Sequence, residues 1–179
     1  MTEVWPSLGP SFADYGSDWD TYCSACYDEY KRDFIETSPV WPVAGKRFSI
    51  KRQPLVDGRC HTFWHIISEG DDESSRTRDL DRCARITWPR VVLDEFAMTY
   101  PAPSSDRIAW WVEQRGGEKR IHIATEGFSY LVVVADRGNY VLLWTAFPID
   151  RDHQRRRRKK AFDSYWAEKA KAAPSGTAS

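Results

Sequence analysis

The sequence predicts an α+β domain: two N-terminal helices packed on a four-stranded antiparallel β-meander, followed by a basic C-terminal helix. Three observations predict it. Residues 108–149 form the densest apolar and β-branched stretch of the chain, and short Gly-bearing turns punctuate it at regular intervals. Aromatic and cysteine residues from Trp19 to Phe34 recur at steps of three and four. Residues 151–160 read RDHQRRRRKK and lead into Phe162, Tyr165 and Trp166.

The meander is the platform of the domain. GG at 116–117, EG at 126–127 and RGN at 137–139 separate runs rich in Val, Ile, Tyr and Trp. Such runs joined by Gly-containing turns read as consecutive hairpins. The expected strands lie near 108–114, 119–124, 128–135 and 140–147. Ahead of them, residues 1–17 hold prolines and glycines without a period and read as an extended arm, with Trp5 and Phe12 tucked onto the body. A helix follows from Ser17 or Asp18 to about Thr37, with Ser17 as N-cap and acids in its first turn. Trp19, Tyr22, Cys23, Cys26, Tyr30 and Phe34 form its apolar stripe. The PVWP at 39–42 stops it. GKRFSIKRQPL at 45–55 alternates Phe48 and Ile50 with basic residues, as a short strand on the sheet edge would. RCHTFWHIIS at 59–68 suits a short helix or a buried strand equally, and EGDDESSRTR at 69–78 reads as an exposed loop. The second helix runs from about Asp79 to Met98. Pro89 either kinks it or divides it, as the first-turn proline of a new segment. Asp150 is expected to cap the basic helix of 151–171, and 172–179 to be a disordered tail.

A chain of 179 residues with 41% hydrophobic and 29% charged content fits one domain with short tails, here 18–150. No apolar run approaches the roughly 20 residues of a membrane span. MTEVWPSLGP lacks the basic start and apolar core of a signal peptide. The expectation is a cytoplasmic protein without a membrane partner. Formal net charge is zero, yet acids crowd the first 37 residues while 151–160 are almost wholly basic, an asymmetry that permits a polyanionic partner or a match between the two ends, within or between molecules. Cys23-x-x-Cys26 with Cys60 and His61 can be drawn as a zinc site. The single CxxC lies inside a helical pattern without a Gly-bearing knuckle, which favours reduced, buried thiols and no metal.

Four groups could carry chemistry. His61 and His65 share a face if their segment is helical, and imidazoles there suit acid/base work. Trp64, between them, offers a ring. Arg76, Arg78, Arg82, Arg85 and Arg90 form an arginine ladder. Arg78, Arg82 and Arg85 stand at helical spacing, and guanidinium forks suit phosphate. Around the first hairpin lie Glu113, Arg115, Lys119, Arg120 and His122, with Thr145 a hydroxyl among large apolar neighbours in the last strand. Arg155 and Arg156 belong to the basic run, which steers polyanions.

The order of these parts, with Thr145-Ala146-Phe147 ending the last strand, resembles the barnase–EndoU–colicin–RelE fold of metal-independent ribonucleases, in its phage- and toxin-associated branches. There the last strand often ends in a TAY-like tripeptide. The resemblance covers roughly residues 18–149 and is one of layout plus short motifs. It implies RNA cleavage by 2′-hydroxyl attack without cofactor or metal. His65, with His61, would supply base or acid, and Thr145 would orient the phosphate. Arg85 and Arg82, or Lys119 and Arg120, would stabilise the phosphorane. Arg78, Trp64, Arg155 and Arg156 would hold the RNA. A toxin of this kind implies a cognate antitoxin or immunity protein. The rival expectation is a non-catalytic RNA-binding or protein-interaction module.

Overall fold

The computed structural model of the chain describes residues 5–70 and 75–173. Its centre is a five-stranded sheet in the order β1-β7-β6-β5-β4, with β4 Ile108–Arg115, β5 Glu118–Thr125, β6 Tyr130–Asp136 and β7 Tyr140–Pro148 as the antiparallel meander. Each predicted strand lies within two residues of its expected place. Gly116 and Gly117 form the two-residue loop between β4 and β5, with φ of 58° and 81°. That pair of positive φ values belongs to the hairpin turn whose twist matches the strands, and glycine reaches it without strain. The fifth strand, β1 Arg47–Ser49, is the expected edge strand, but it runs parallel to β7 and pairs with Tyr140 to Leu142.

β7 carries a bulge that decides what its end presents. Val134 pairs with Leu143 and Val133 pairs with Thr145, so Trp144 is the extra residue. An inserted residue re-aims its neighbours. Trp144 and Thr145 both fall on the side of Val133, while Leu143 and Ala146 stay buried on the other.

Helices cover the two faces unequally. α1 Trp19–Lys31 with a wider terminal turn at Arg32–Glu36, α2 His61–Ile67, and α4 Trp88–Thr99 share one core with the inner face. Tyr22, Tyr30, Phe63, Leu93 and Phe96 are the large buried side chains there. Burying each removes enough apolar surface to contribute roughly 1.5–3 kcal/mol. On the outer face, α5 Asp152–Ala172 sets Phe162 against Trp111 and Phe128, and that smaller cluster covers only one end of the sheet.

Local chemistry sets the element ends. Asp18 caps α1 by accepting from the Thr21 N–H at 2.9 Å, and Ser17 precedes it with φ of 58°. The predicted second helix is divided: α3 Leu80–Cys83 is capped by the Asp79 carboxylate, a turn follows, and Pro89 sits in the first turn of α4. A first-turn proline lacks only an N–H that the helix leaves unpaired anyway. α5 begins with Arg151 at its N-cap and no side-chain cap, so Asp150 does not cap it as expected. Within the 59–68 segment, His61–Ile67 resolves as helix. The expected exposed loop at 69–78 has paired flanks, β2 Ser68–Glu69 with β3 Thr77–Arg78. Arg76 donates to the Ser68, Gly70 and His65 carbonyls from between them. In the N-terminal arm, Phe12–Tyr15 forms one helical turn, and Trp5 and Phe12 pack on the core. Of the expected tail, residues 174–179 lie outside the described residues.

All four cysteines are buried free thiols, and Cys26 approaches the Cys83 carbonyl at 3.9 Å rather than Cys60. Cys60 instead meets the Tyr27 hydroxyl at 3.6 Å. Among the described residues no group of three His, Cys, Asp or Glu is placed to hold a metal ion. No described helix is long and apolar enough to cross a membrane.

Candidate nucleic-acid site on the outer sheet face

The uncovered part of the outer face is built by strand alternation. Side chains two apart on a strand share a face, so Glu118, Arg120 and His122 of β5 point outward together. Arg120 pairs across with Ala135, and Ala135 with Leu142. His122 pairs with Val133, and Val133 with Thr145. Arg120 and Thr145 therefore stand in adjacent rows, and the bulged Trp144 lies between them. The Arg120 guanidinium sits 4.6 Å and that of Arg137 5.8 Å from the Trp144 ring. Glu118 ties the two arginines together, at 2.9 Å from Arg120 Nε and 2.5 Å from Arg137 Nη1. A cation over an indole is worth roughly 0.5–2 kcal/mol, and the shared carboxylate sets the direction of both forks.

The histidines approach from the flank. β1 ends at Ser49, opposite Leu142, and α2 packs beside the rest of β7. Helical spacing stacks His61 on His65 with ring centres 5.9 Å apart, and His65 lies 6.0 Å from Trp144. The segment before α2 is laced to its first turn. The His61 N–H donates to the Arg52 carbonyl, the Thr62 N–H to the Lys51 carbonyl, and the Thr62 hydroxyl accepts from the Lys51 N–H. That lacing puts Lys51 Nζ 3.4 Å from His61 Nε2.

A cleft of about 760 Å3 continues the site along β1 and β7, lined by Arg47, Phe48, Lys51, Arg137, Tyr140 and Leu142 among others. Arg137 joins the cleft to Trp144, and Lys51 joins it to the histidine pair. Arg47, Lys51 and Arg137, with the Tyr140 and Trp144 rings, thus flank one track. Such a surface favours polyanions and offers rings to unstacked bases.

The remaining expected site residues lie elsewhere. Lys119 is on the opposite side of the sheet, beside Trp110 and Ile121, because it is one residue out of step with Arg120. The arginine ladder does not form: Arg78 is in β3 and Arg85 in the turn after α3, so they share no helix face with Arg82. Arg78 covers Trp19 at 4.3 Å, and Arg85 covers Trp88 at 5.1 Å while donating to the Asp81 carbonyl. Arg82 is held by Asp79 and donates to the Ser68 carbonyl at 2.9 Å, 5.3 Å over Phe147. It lines a separate cleft of about 420 Å3 with Asp150, Arg151 and Gln154. Trp64 gives its indole N–H to the Val56 carbonyl. Arg155 donates to the Ile149 carbonyl at 2.6 Å and anchors α5, whereas Arg156 is exposed on that helix.

His122 belongs to the outer row but not to its chemistry. Burial, with Arg158, Arg120 and Arg115 nearby, outweighs Glu113 and presses its pKa down to about 4. At pH 7 the ring is neutral, so it is no general acid, and the depressed pKa makes it a weak base. Its neighbour Glu113 instead accepts from the Trp111 indole at 2.8 Å and lies 3.8 Å from Arg158, which holds α5 on the sheet.

Sequence reasoning missed Trp144, Glu118, Arg137, Lys51 and Arg47 as site residues. Alternation from Arg120 reaches Glu118, but nothing local marks the other four. The chain matches no protein-family model, no curated protein and no solved structure, so its function is argued from this site alone.

Proposed function

We propose that the chain is a cytoplasmic, metal-independent endoribonuclease of the barnase–EndoU–colicin–RelE type, acting at the outer sheet face. The single observation that carries this reading is the convergence of His65, Arg120 and Arg137 around the Trp144 ring. In the proposed reaction the substrate supplies its own nucleophile. A ribose 2′-hydroxyl attacks the adjacent phosphorus and gives up its proton to His65, forming the 2′-O–P bond. The P–O5′ bond breaks, and the leaving oxygen takes a proton from the histidine pair. The products are a 2′,3′-cyclic phosphate and a 5′-hydroxyl. Arg120 and Arg137 oppose the charge that builds on the phosphorane, the Thr145 hydroxyl donates to a non-bridging oxygen, and Trp144 stacks the flanking base. Arg47 and Lys51 hold the continuing backbone in the cleft. The biological role on this reading is that of a toxin in a toxin–antitoxin or phage-conflict pair, with an antitoxin covering the open face.

A second reading, an RNA-binding module without catalysis, is favoured by one observation: Glu118 already neutralises part of the charge on both arginines. The two readings separate when labelled RNA is incubated in EDTA with wild type, His65→Ala and Arg120→Ala. Cleavage by wild type that is lost in both variants supports the nuclease. Salt-sensitive binding without cleavage supports the module, and neither outcome removes both.

A further inference from the structure

The inner face of the sheet has a cavity of its own, about 560 Å3, inside the roughly 300–1,000 Å3 of small-molecule sites. Its wall is aromatic, from Trp41, Phe96, Tyr100, Trp110 and Tyr165. The rings touch in sequence: Trp41 to Phe96 at 5.0 Å, Phe96 to Trp110 at 5.4 Å, Tyr100 to Trp110 at 5.6 Å, and Trp110 to Tyr165 at 6.3 Å. α4, β4 and α5 each supply part of that wall, and the Trp166 indole locks α5 to β4 by donating to the Trp110 carbonyl at 2.6 Å. Packed elements thus set most of the shape, and Trp41, Val43 and Lys46 of the segment between α1 and β1 close one side. Val112, Tyr100 and Tyr165 are only half-buried, so the wall is open to solvent on one side.

Charge at the rim is biased. Lys46, Lys119 and Lys169 line it with Asp136 and Glu168. Lys46 is held by Asp136 at 2.5 Å, and Lys169 lies 5.6 Å over the Tyr165 ring. Lys119 is exposed there, next to the same Asp136 carboxylate. An apolar hollow backed by an aromatic wall, with the half-buried Tyr100 and Tyr165 rings facing it and two lysines at its mouth, complements one kind of small molecule. We propose that this cavity binds a flat aromatic ring bearing one anionic group, the ring against the aromatic wall and the acid against Lys119 and Lys169. It is a site distinct from the one around Trp144, on the other side of the sheet, and it does not depend on RNA cleavage.

Isothermal titration of the full chain with 2-naphthoate, 2-naphthyl phosphate and neutral 2-naphthalenemethanol tests this. The expected result is saturable one-to-one binding of an anion about tenfold or more tighter than the alcohol, as charge-assisted contacts give. Preference for the phosphate over the carboxylate, or the reverse, names the acid. The surface double variant Lys119→Ala/Lys169→Ala should erase the tenfold preference while leaving the alcohol unchanged. Val112→Trp, checked for a cooperative melt, should weaken all three ligands by filling the slot. Equal affinity for anion and alcohol, a preference that survives the double variant, or no saturation up to about 1 mM overturns the proposal.

Discussion

Lowering the pH from about 7 to about 4 forces a proton onto His122, whose side chain is 7% exposed and sits 5.2 Å from the Trp111 ring. Burial and three nearby arginines hold its folded pKa at about 4, against 6.5 for the unfolded chain. A basic group with a depressed folded pKa is protonated first in the unfolded state. Its neutral form leaves stability intact above pH 6.5, and stability is lost as pH falls from there toward 4. At roughly 1.4 kcal/mol per pH unit across that gap, the loss reaches about 3 kcal/mol. The assay is urea denaturation of wild type and His122→Phe at several pH values. Acid protonation of other groups, including Asp136 with its Lys46 partner, is common to both proteins and cancels in their difference. Wild type minus variant should fall by about 3 kcal/mol between the two pH limits. A difference that stays flat refutes the assignment of His122 as a buried neutral ring.

Three further outcomes follow from particular contacts. Trp144→Ala removes the ring that His65, Arg120 and Arg137 surround, and affinity for a short single-stranded RNA should fall by the roughly 1–3 kcal/mol of a stacked base; fluorescence polarisation measures it, and an unchanged affinity contradicts the site. Glu118→Gln releases charge on two arginines, so RNA should bind more tightly, and its log affinity should fall more steeply with log salt, by about one counterion. Gly117→Ala places a side chain at φ of 81° with no atom within 4 Å of its Cβ. The cost is backbone strain alone, about 1 kcal/mol, visible as a few degrees in the thermal midpoint and with RNA binding unchanged.

Much of the fold was legible because its signals are local. Gly116, Gly117 and Gly138 mark the hairpins, the stripe from Trp19 to Phe34 marks α1, and Pro89 marks a helix start. The parallel pairing of β1 with β7 joins residues far apart in the chain, and no neighbouring residue announces it. The bulge at Trp144 is likewise silent, since VLLWTAFP reads as an unbroken strand. That bulge is why Thr145 shares the outer side with Trp144, instead of alternating to the inner one. Arg120 could be told from Lys119 by the two-residue period alone, but only once the register of β5 was known. The arginine ladder failed for a different reason: it assumed a helix through Arg78 and Arg85, and the Asp79 cap and the break after Cys83 leave both outside it. His65 reaches Trp144 because β1 stops short and leaves the flank of β7 to α2, which is a property of the whole sheet.

The most direct test of the central claim uses an RNA oligonucleotide and its twin carrying one 2′-deoxy residue at the mapped cut, incubated in EDTA with wild type and His65→Ala. The account predicts cleavage of the all-ribose strand to a 2′,3′-cyclic phosphate end, no cleavage at the deoxy position, and loss of activity with His65→Ala. Cleavage across the deoxy linkage, or undiminished cleavage by His65→Ala, would contradict it.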